Sequence, residues 1–122
     1  MSTDFPTLGR ELGAAIADLR KAIPDTAKGF SAMANAALTP GALDTKTKEL
    51  ITIGIAIAIR CDGCIAFHVE GARKAGATRE EVAETVASAV FMGGGPSLVY
   101  GAEALRAYDQ FTEVADTKGK AA

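Results

Sequence analysis

Leu8, Leu12, Ile16, Leu19 and Ile23 recur at spacings of three and four, the stripe of a helix from about Thr7 to Ile23. Pro24 and Asp25 break it, and Asp25 is expected to cap a second helix through Phe30, Met33 and Leu38. Thr39-Pro40-Gly41 reads as a turn. Asp44 then offers an N-cap for Thr45-Lys46-Thr47-Lys48-Glu49, which leads into the apolar run Leu50 to Ile59. That run is ambiguous, because isoleucine at every second position has strand period and strand propensity. No second strand-like segment exists to pair with it, and a lone strand cannot satisfy its backbone. The small Gly54, Ala56 and Ala58 between the isoleucines fit a place where helices approach closely. The run is therefore expected to be a helix, apolar nearly all round and buried at a subunit interface.

A fourth helix is expected from near Cys61 to about Ala75, with Gly76 as its stop. Thr78-Arg79-Glu80-Glu81 has the form of a capping box, opening a helix with apolar face Val82, Val86, Ala89 and Val90. Met92-Gly93-Gly94-Gly95-Pro96 ends it. Ser97 is expected to cap a last helix through Leu98, Leu105 and Phe111, and Asp116 to Ala122 reads as a frayed tail. The expected architecture is a single all-α domain over residues 1–122, a bundle of about six helices with no internal repeat.

Composition sharpens this picture. Alanine is abundant, tryptophan absent, and aromatic residues make up 6% of the chain, which suits thin, close-packed helices. An apolar content of 48% in so small a domain implies a surface buried between subunits. The net charge of −2, with no basic run, argues against nucleic acid as a partner. The first ten residues lack the apolar core of a secretory signal, and Leu50 to Ile59 is far short of the roughly 20 residues a membrane span needs. The expectation is a cytoplasmic protein, and in that reducing compartment a Cys-x-x-Cys is more often catalytic or metal-binding than structural.

The chemistry is concentrated in Cys61-Asp62-Gly63-Cys64-Ile65-Ala66-Phe67-His68, which holds both cysteines and the sole histidine. On a helix, Cys61, Cys64 and His68 share one face. Cysteines three apart can cycle between dithiol and disulfide, and a histidine one turn beyond the second sulfur can take or return its proton. Two other readings stand beside the redox one. Zinc uses the same cysteine spacing but wants four ligands, with Glu49 as the candidate to join Cys61, Cys64 and His68. Alternatively, two buried thiols and a hydrogen-bonded core histidine would be purely structural. The glycine triplet Gly93 to Gly95 lacks the Gly-Lys-Ser/Thr ending of a phosphate loop and reads as a tight interhelical turn, although its missing side chains could leave an opening to the thiols. Tyr100 and Tyr108 read as amphipathic core-edge residues.

Glu49 lies twelve positions before Cys61. If two helices form an antiparallel hairpin turning near Arg60, Glu49 lies roughly 16 Å up the first and His68 roughly 10–12 Å up the second. The two are then close enough for a direct or water-bridged contact, giving the order Glu49, His68, Cys64. Otherwise Glu49 is only a first-turn carboxylate favoured by the helix dipole. Two arguments conflict over which sulfur attacks. The helix N-terminus favours a Cys61 thiolate, whereas His68 is one turn from Cys64 and two from Cys61. A positioned base contributes more than a helix-terminus effect, which favours Cys64.

Lys48-Glu49-Leu50, the isoleucine-alanine run, Cys61-x-x-Cys64-x-x-x-His68 and Gly76-Ala77-Thr78-x-x-Glu81 together resemble the carboxymuconolactone decarboxylase superfamily. Within it the chain is similar to the alkylhydroperoxidase D-like branch, which keeps the cysteine pair, and the likeness covers roughly Asp44 to Phe111. The resemblance implies an all-α fold assembled as trimers or hexamers. It also implies Cys64 as attacking thiol, Cys61 as its disulfide partner, and Glu49 with His68 as the proton relay. The substrate would be a hydroperoxide or a disulfide, an outside dithiol would reset the pair, and no organic cofactor would be required. Gly63 stands where the best-known alkylhydroperoxidase D proteins carry a second histidine, and those longer proteins have two related helical halves. Thiol–disulfide chemistry therefore carries over more directly than peroxidase activity. Lactone decarboxylation does not carry over, because the decarboxylases proper lack the cysteine pair.

Overall fold

The computed structural model describes residues 3–121. It contains six helices: α1 (Phe5–Ala22), α2 (Pro24–Leu38), α3 (Thr45–Ile59), α4 (Asp62–Lys74), α5 (Arg79–Gly93) and α6 (Gly95–Ala121). No strand occurs among the described residues, so the ambiguous isoleucine run is helical.

Local chemistry explains where each helix starts. The Asp4 carboxylate accepts from Thr7 N–H at 3.0 Å and opens α1 two residues earlier than the apolar stripe indicated. Asp44 does the same for α3 through Thr47 at 2.7 Å, and these hydrogen bonds hold its carboxyl below the usual range. Thr78 and Glu81 form the expected capping box on α5. Glu81 also accepts from Lys46 at 2.9 Å, tying the starts of α3 and α5 together. That contact lowers the Glu81 carboxyl and raises the Lys46 ammonium relative to their ordinary values.

Two expected caps are corrected. Asp25 sits in the first turn of α2, because Pro24, with φ already fixed near the helical value, becomes the first helical residue and leaves Ile23 at the cap. Ser97 lies inside α6, buried among α5 and α6, because the helix already begins at Gly95. At the far end α6 stays helical to Ala121, through the stretch read as a frayed tail; Ala122 lies outside the described residues.

Packing centres on α3 and α4, which contact each other and α6; α3 also meets α5, and α5 lies along α6. Phe5, Ile53, Ile57, Ile65 and Val69 are fully buried, with Ala66, Ala72, Ala104 and Ala107 as thin spacers. The inward face of α6 is Gly101, Ala104, Ala107 and Phe111, while Leu98 is exposed. Tyr108 sits at the core edge, its hydroxyl donating to Ala77 O at 2.8 Å.

The isoleucines of α3 divide between two faces. Ile53 and Ile57 enter the core, whereas Ile51, Ile55 and Ile59, each four apart, are 48%, 55% and 66% exposed. Met92 of α5 lines a shallow groove together with Ile51 and Ile55, and Phe91, Leu98 and Val99 are exposed as well. The helix is thus apolar all round, as its sequence indicated, and half of it is uncovered in one chain. Among the described residues, no helix is long and apolar enough to cross a membrane.

Candidate redox site

The turn between α3 and α4 sets up the site. Arg60 caps α3 in the left-handed conformation, φ 61°, and the Cys61 N–H reaches back to Ala56 O at 3.0 Å. The chain reverses there, so α3 and α4 form the antiparallel hairpin expected from the sequence. Cys61 becomes the N-cap of α4, its Sγ accepting from Cys64 N–H at 3.2 Å. Cys61 and Cys64 are joined as a disulfide with Cα atoms 5.2 Å apart, and both are only partly buried.

One turn beyond Cys64, the His68 Nδ1 lies 2.7 Å from Glu49 Oε1. Glu49 is buried within α3, whereas the His68 side chain is 29% exposed. The contact is direct, as the hairpin geometry indicated, and Glu49 is more than a solvated first-turn carboxylate. Where the Glu49 carboxylate accepts this bond, Nδ1 is its donor, and Nε2 is the ring nitrogen left to exchange a proton elsewhere. The contact holds the ring in one orientation.

Two glycines of α4 shape this region. A Cβ on Gly71 would overlap Glu49 Oε2 and come within 2.9 Å of its Cδ, so the bare backbone there leaves room for the carboxylate. Gly63 lies beneath α1: a Cβ there would be 2.7 Å from Leu12 Cδ1. The Gly63 backbone is thus roofed by a leucine. Gly71 was missed by the pattern reading, and its signal was a glycine inside an otherwise good helix.

Access to His68 comes from a different direction than the glycine triplet. A groove of about 680 Å³ between α1, α2 and α4 is walled by Phe67 and His68 from α4, by Ile16, Leu19 and Arg20 from α1, and by Phe30 from α2. Gly93 to Gly95 take no part in it. The apolar stripe of α1 is therefore partly a groove wall. No group of three or more His, Cys, Asp or Glu among the described residues is gathered so as to hold a metal ion, and the two sulfurs are spent on each other. The proposed Glu49, Cys61, Cys64 and His68 tetrahedron does not form in this state.

Comparison with known proteins bears on the family and the fold. Residues 24–107 match the model of the carboxymuconolactone decarboxylase family. The chain is 37% identical over 109 residues to an uncharacterized protein of Cupriavidus necator, covering 89% of this chain and 96% of that one. It is 34% identical over 97 residues to an uncharacterized protein of the cox locus of Paracoccus denitrificans, covering 80% and 87%. Among solved structures, a carboxymuconolactone decarboxylase family protein of Legionella pneumophila, crystallised in its apo form, superposes with a TM-score of 0.86 at 50% identity, over 88% of this chain and 96% of that one. A Thermotoga maritima member, for which an involvement in antioxidative response has been raised, gives 0.70 at 30% identity, over 75% and 95%. With most of its length matched in sequence and in fold, the chain belongs to the carboxymuconolactone decarboxylase family.

Proposed function

We propose that the protein is a thiol-dependent oxidoreductase of the alkylhydroperoxidase D-like kind, acting on a hydroperoxide or a disulfide in the reducing cytoplasm. The observation that carries this reading is the 2.7 Å contact between Glu49 and His68, one helical turn from a Cys-x-x-Cys pair already joined as a disulfide. In the reduced protein, Nε2 of His68 takes the Cys64 proton while Glu49 stabilises the resulting imidazolium. The Cys64 thiolate attacks the O–O bond, leaving a sulfenic acid and, after protonation, an alcohol. The Cys61 thiol then displaces water and closes the disulfide. With a disulfide substrate the Cys64 thiolate displaces one thiolate to give a mixed disulfide, and Cys61, losing its proton, displaces the second as the internal disulfide closes. An outside dithiol resets the pair by two exchange steps and is itself oxidised, so no organic cofactor is required.

The hydrogen bond from Cys64 N–H to Cys61 Sγ favours a Cys61 thiolate, in competition with the base beside Cys64. A positioned base is worth roughly 10²–10⁴ in rate, more than a helix terminus supplies, which keeps Cys64 as the nucleophile. The uncovered isoleucine face of α3 supports assembly into a homotrimer or homohexamer.

Trapping tests the assignment. Cys61→Ser should react once with peroxide and stall as a Cys64 adduct, whereas Cys64→Ser should show no fast first reaction. A rapid adduct on Cys61 in the Cys64→Ser variant, with a sluggish Cys64 in the other, reverses the roles. One tightly held zinc per reduced chain, with both thiols masked, would instead make this a metal-binding module.

A further inference from the structure

Three residues among those described have positive φ: Gly76, Gly94 and Arg60. Two use glycine, which adopts that conformation freely, but at the third an arginine carries a Cβ into a region that disfavours it. A glycine at this helix-terminating position would do the backbone's work at lower cost. The arginine is not retained for a contact within the chain either. Arg10, Arg20, Arg73, Arg79 and Arg106 each donate a side-chain hydrogen bond, to Thr7, Ser31, Glu70, Asp109 and Glu103. The Arg60 side chain has no such partner among the described residues, and the residue is exposed. It directly precedes Cys61, whose sulfur caps α4 and forms half of the disulfide. A costly conformation thus falls on an exposed residue with an unspent guanidinium, next in the chain to the redox pair, where the one nearby opposite charge in sequence is exposed Asp62.

We propose that Arg60 is the substrate-recognition residue of this site and that the reacting partner of the disulfide pair is an anion, a carboxylate- or sulfonate-bearing thiol, disulfide or hydroperoxide. The inference rests on the thiol–disulfide reading above and names the class of molecule it handles. Guanidinium pairs with such oxyanions through a planar fork and attracts them from solution. An approaching anion is drawn to the sulfurs, and the attraction falls as salt is added.

The test compares charged and neutral probes on the full-length protein. In the oxidative direction, reduced protein is mixed with dithionitrobenzoate, a dianionic aromatic disulfide, or with neutral dithiodipyridine. One protein thiolate displaces one aromatic thiolate, and the second protein thiol, losing its proton, displaces the other as the internal disulfide forms. In the reductive direction, the oxidised protein is reduced by mercaptoethanesulfonate or by neutral mercaptoethanol. Arg60→Gly should lower the anionic-to-neutral rate ratio about two- to fivefold at low salt, the order expected when one exposed unit charge acting through water is removed. It should also abolish the salt dependence of that ratio and raise the melting temperature by relieving the backbone. Arg60→Lys should keep most of the ratio. A fall in the oxidative arm places the anion on the oxidant, and a fall in the reductive arm places it on the donor. An unchanged ratio in both arms, or an Arg60→Gly protein less stable than the parent, overturns the proposal. Neutral iodoacetamide separates this from the broader reading: if reduced thiols alkylate no faster than free cysteine in the parent itself, the redox reading fails, whatever Arg60 does.

Discussion

The α3–α4 hairpin and the α1–α2 arm are similarly rich in apolar residues, yet they end in opposite conditions. In the hairpin Ile53, Ile57, Ile65 and Val69 are fully buried, and Glu49 is enclosed with them. In the arm α2 has no buried residue at all, Phe30 and Met33 lie open, and the helix touches only α1 and α3. Apolar periodicity states that a face wants covering; it does not state what covers it. The hairpin is covered by its own chain, which gives the site a fixed frame. Within the arm, Phe5 of α1 reaches the core, but α2 leaves its wall of the His68 groove supported by little beyond α1 and α3.

The sharpest way to break this comparison is to cut into both regions. Ile57→Ala, at a fully buried position, should cost about 2–5 kcal/mol in denaturant unfolding. Phe30→Ala in the arm should cost about 0.5 kcal/mol or less in the same measurement. Equal losses would mean the arm is as integral to the fold as the hairpin.

A smaller effect probes the frame around the carboxylate. Gly71→Ala should destabilise the protein by about 1–3 kcal/mol, because displacing Glu49 leaves buried polar groups poorly paired. In a Glu49→Ala background the same substitution should become neutral or stabilising, since alanine is the better helix former once the collision is gone. A loss of the same size in both backgrounds would show that Gly71 is needed for another reason.

Modest effects are expected at the exposed caps. Thr78→Ala should cost about 1 kcal/mol through loss of the α5 capping box. Glu81 has its carboxyl lowered by Lys46 and Thr78, so its contribution is fully present above the unfolded carboxyl's range and is lost as pH falls through the folded value. Glu81→Gln should therefore flatten the acid limb of the stability curve at low salt. An unchanged limb would mean other carboxylates, such as Asp44, dominate it.

Much of this was legible in the sequence because it rests on local chemistry. Asp44, Thr78 with Glu81, and Gly76 mark helix ends through side chains or backbone freedom acting within a few residues. The Glu49–His68 contact was legible too, because helix rise and one reversal near Arg60 fix their heights along the hairpin. The two cap errors came from prolines: a residue with preset φ starts a helix, so Pro24 and Pro96 drew α2 and α6 forward of Asp25 and Ser97. Gly71, Leu12 over Gly63, and the groove were not legible, because each depends on which side of α4 meets α3 and α1. That is tertiary packing, and one stripe of apolar residues fits several such packings.

The central claim is that the buried Glu49 and the half-buried His68 act on the thiols, and alkylation tests it most directly. The rate of reaction of the reduced protein with iodoacetamide is followed against pH, in parent, His68→Ala and Glu49→Gln proteins. The account expects the parent profile to rise at a pH below the roughly 8.5 of free cysteine, His68→Ala to be slower near neutrality and shifted upward, and Glu49→Gln to move the same way by less. Three superimposable profiles would contradict it, leaving the Glu49–His68 pair a structural contact beside a disulfide it does not serve.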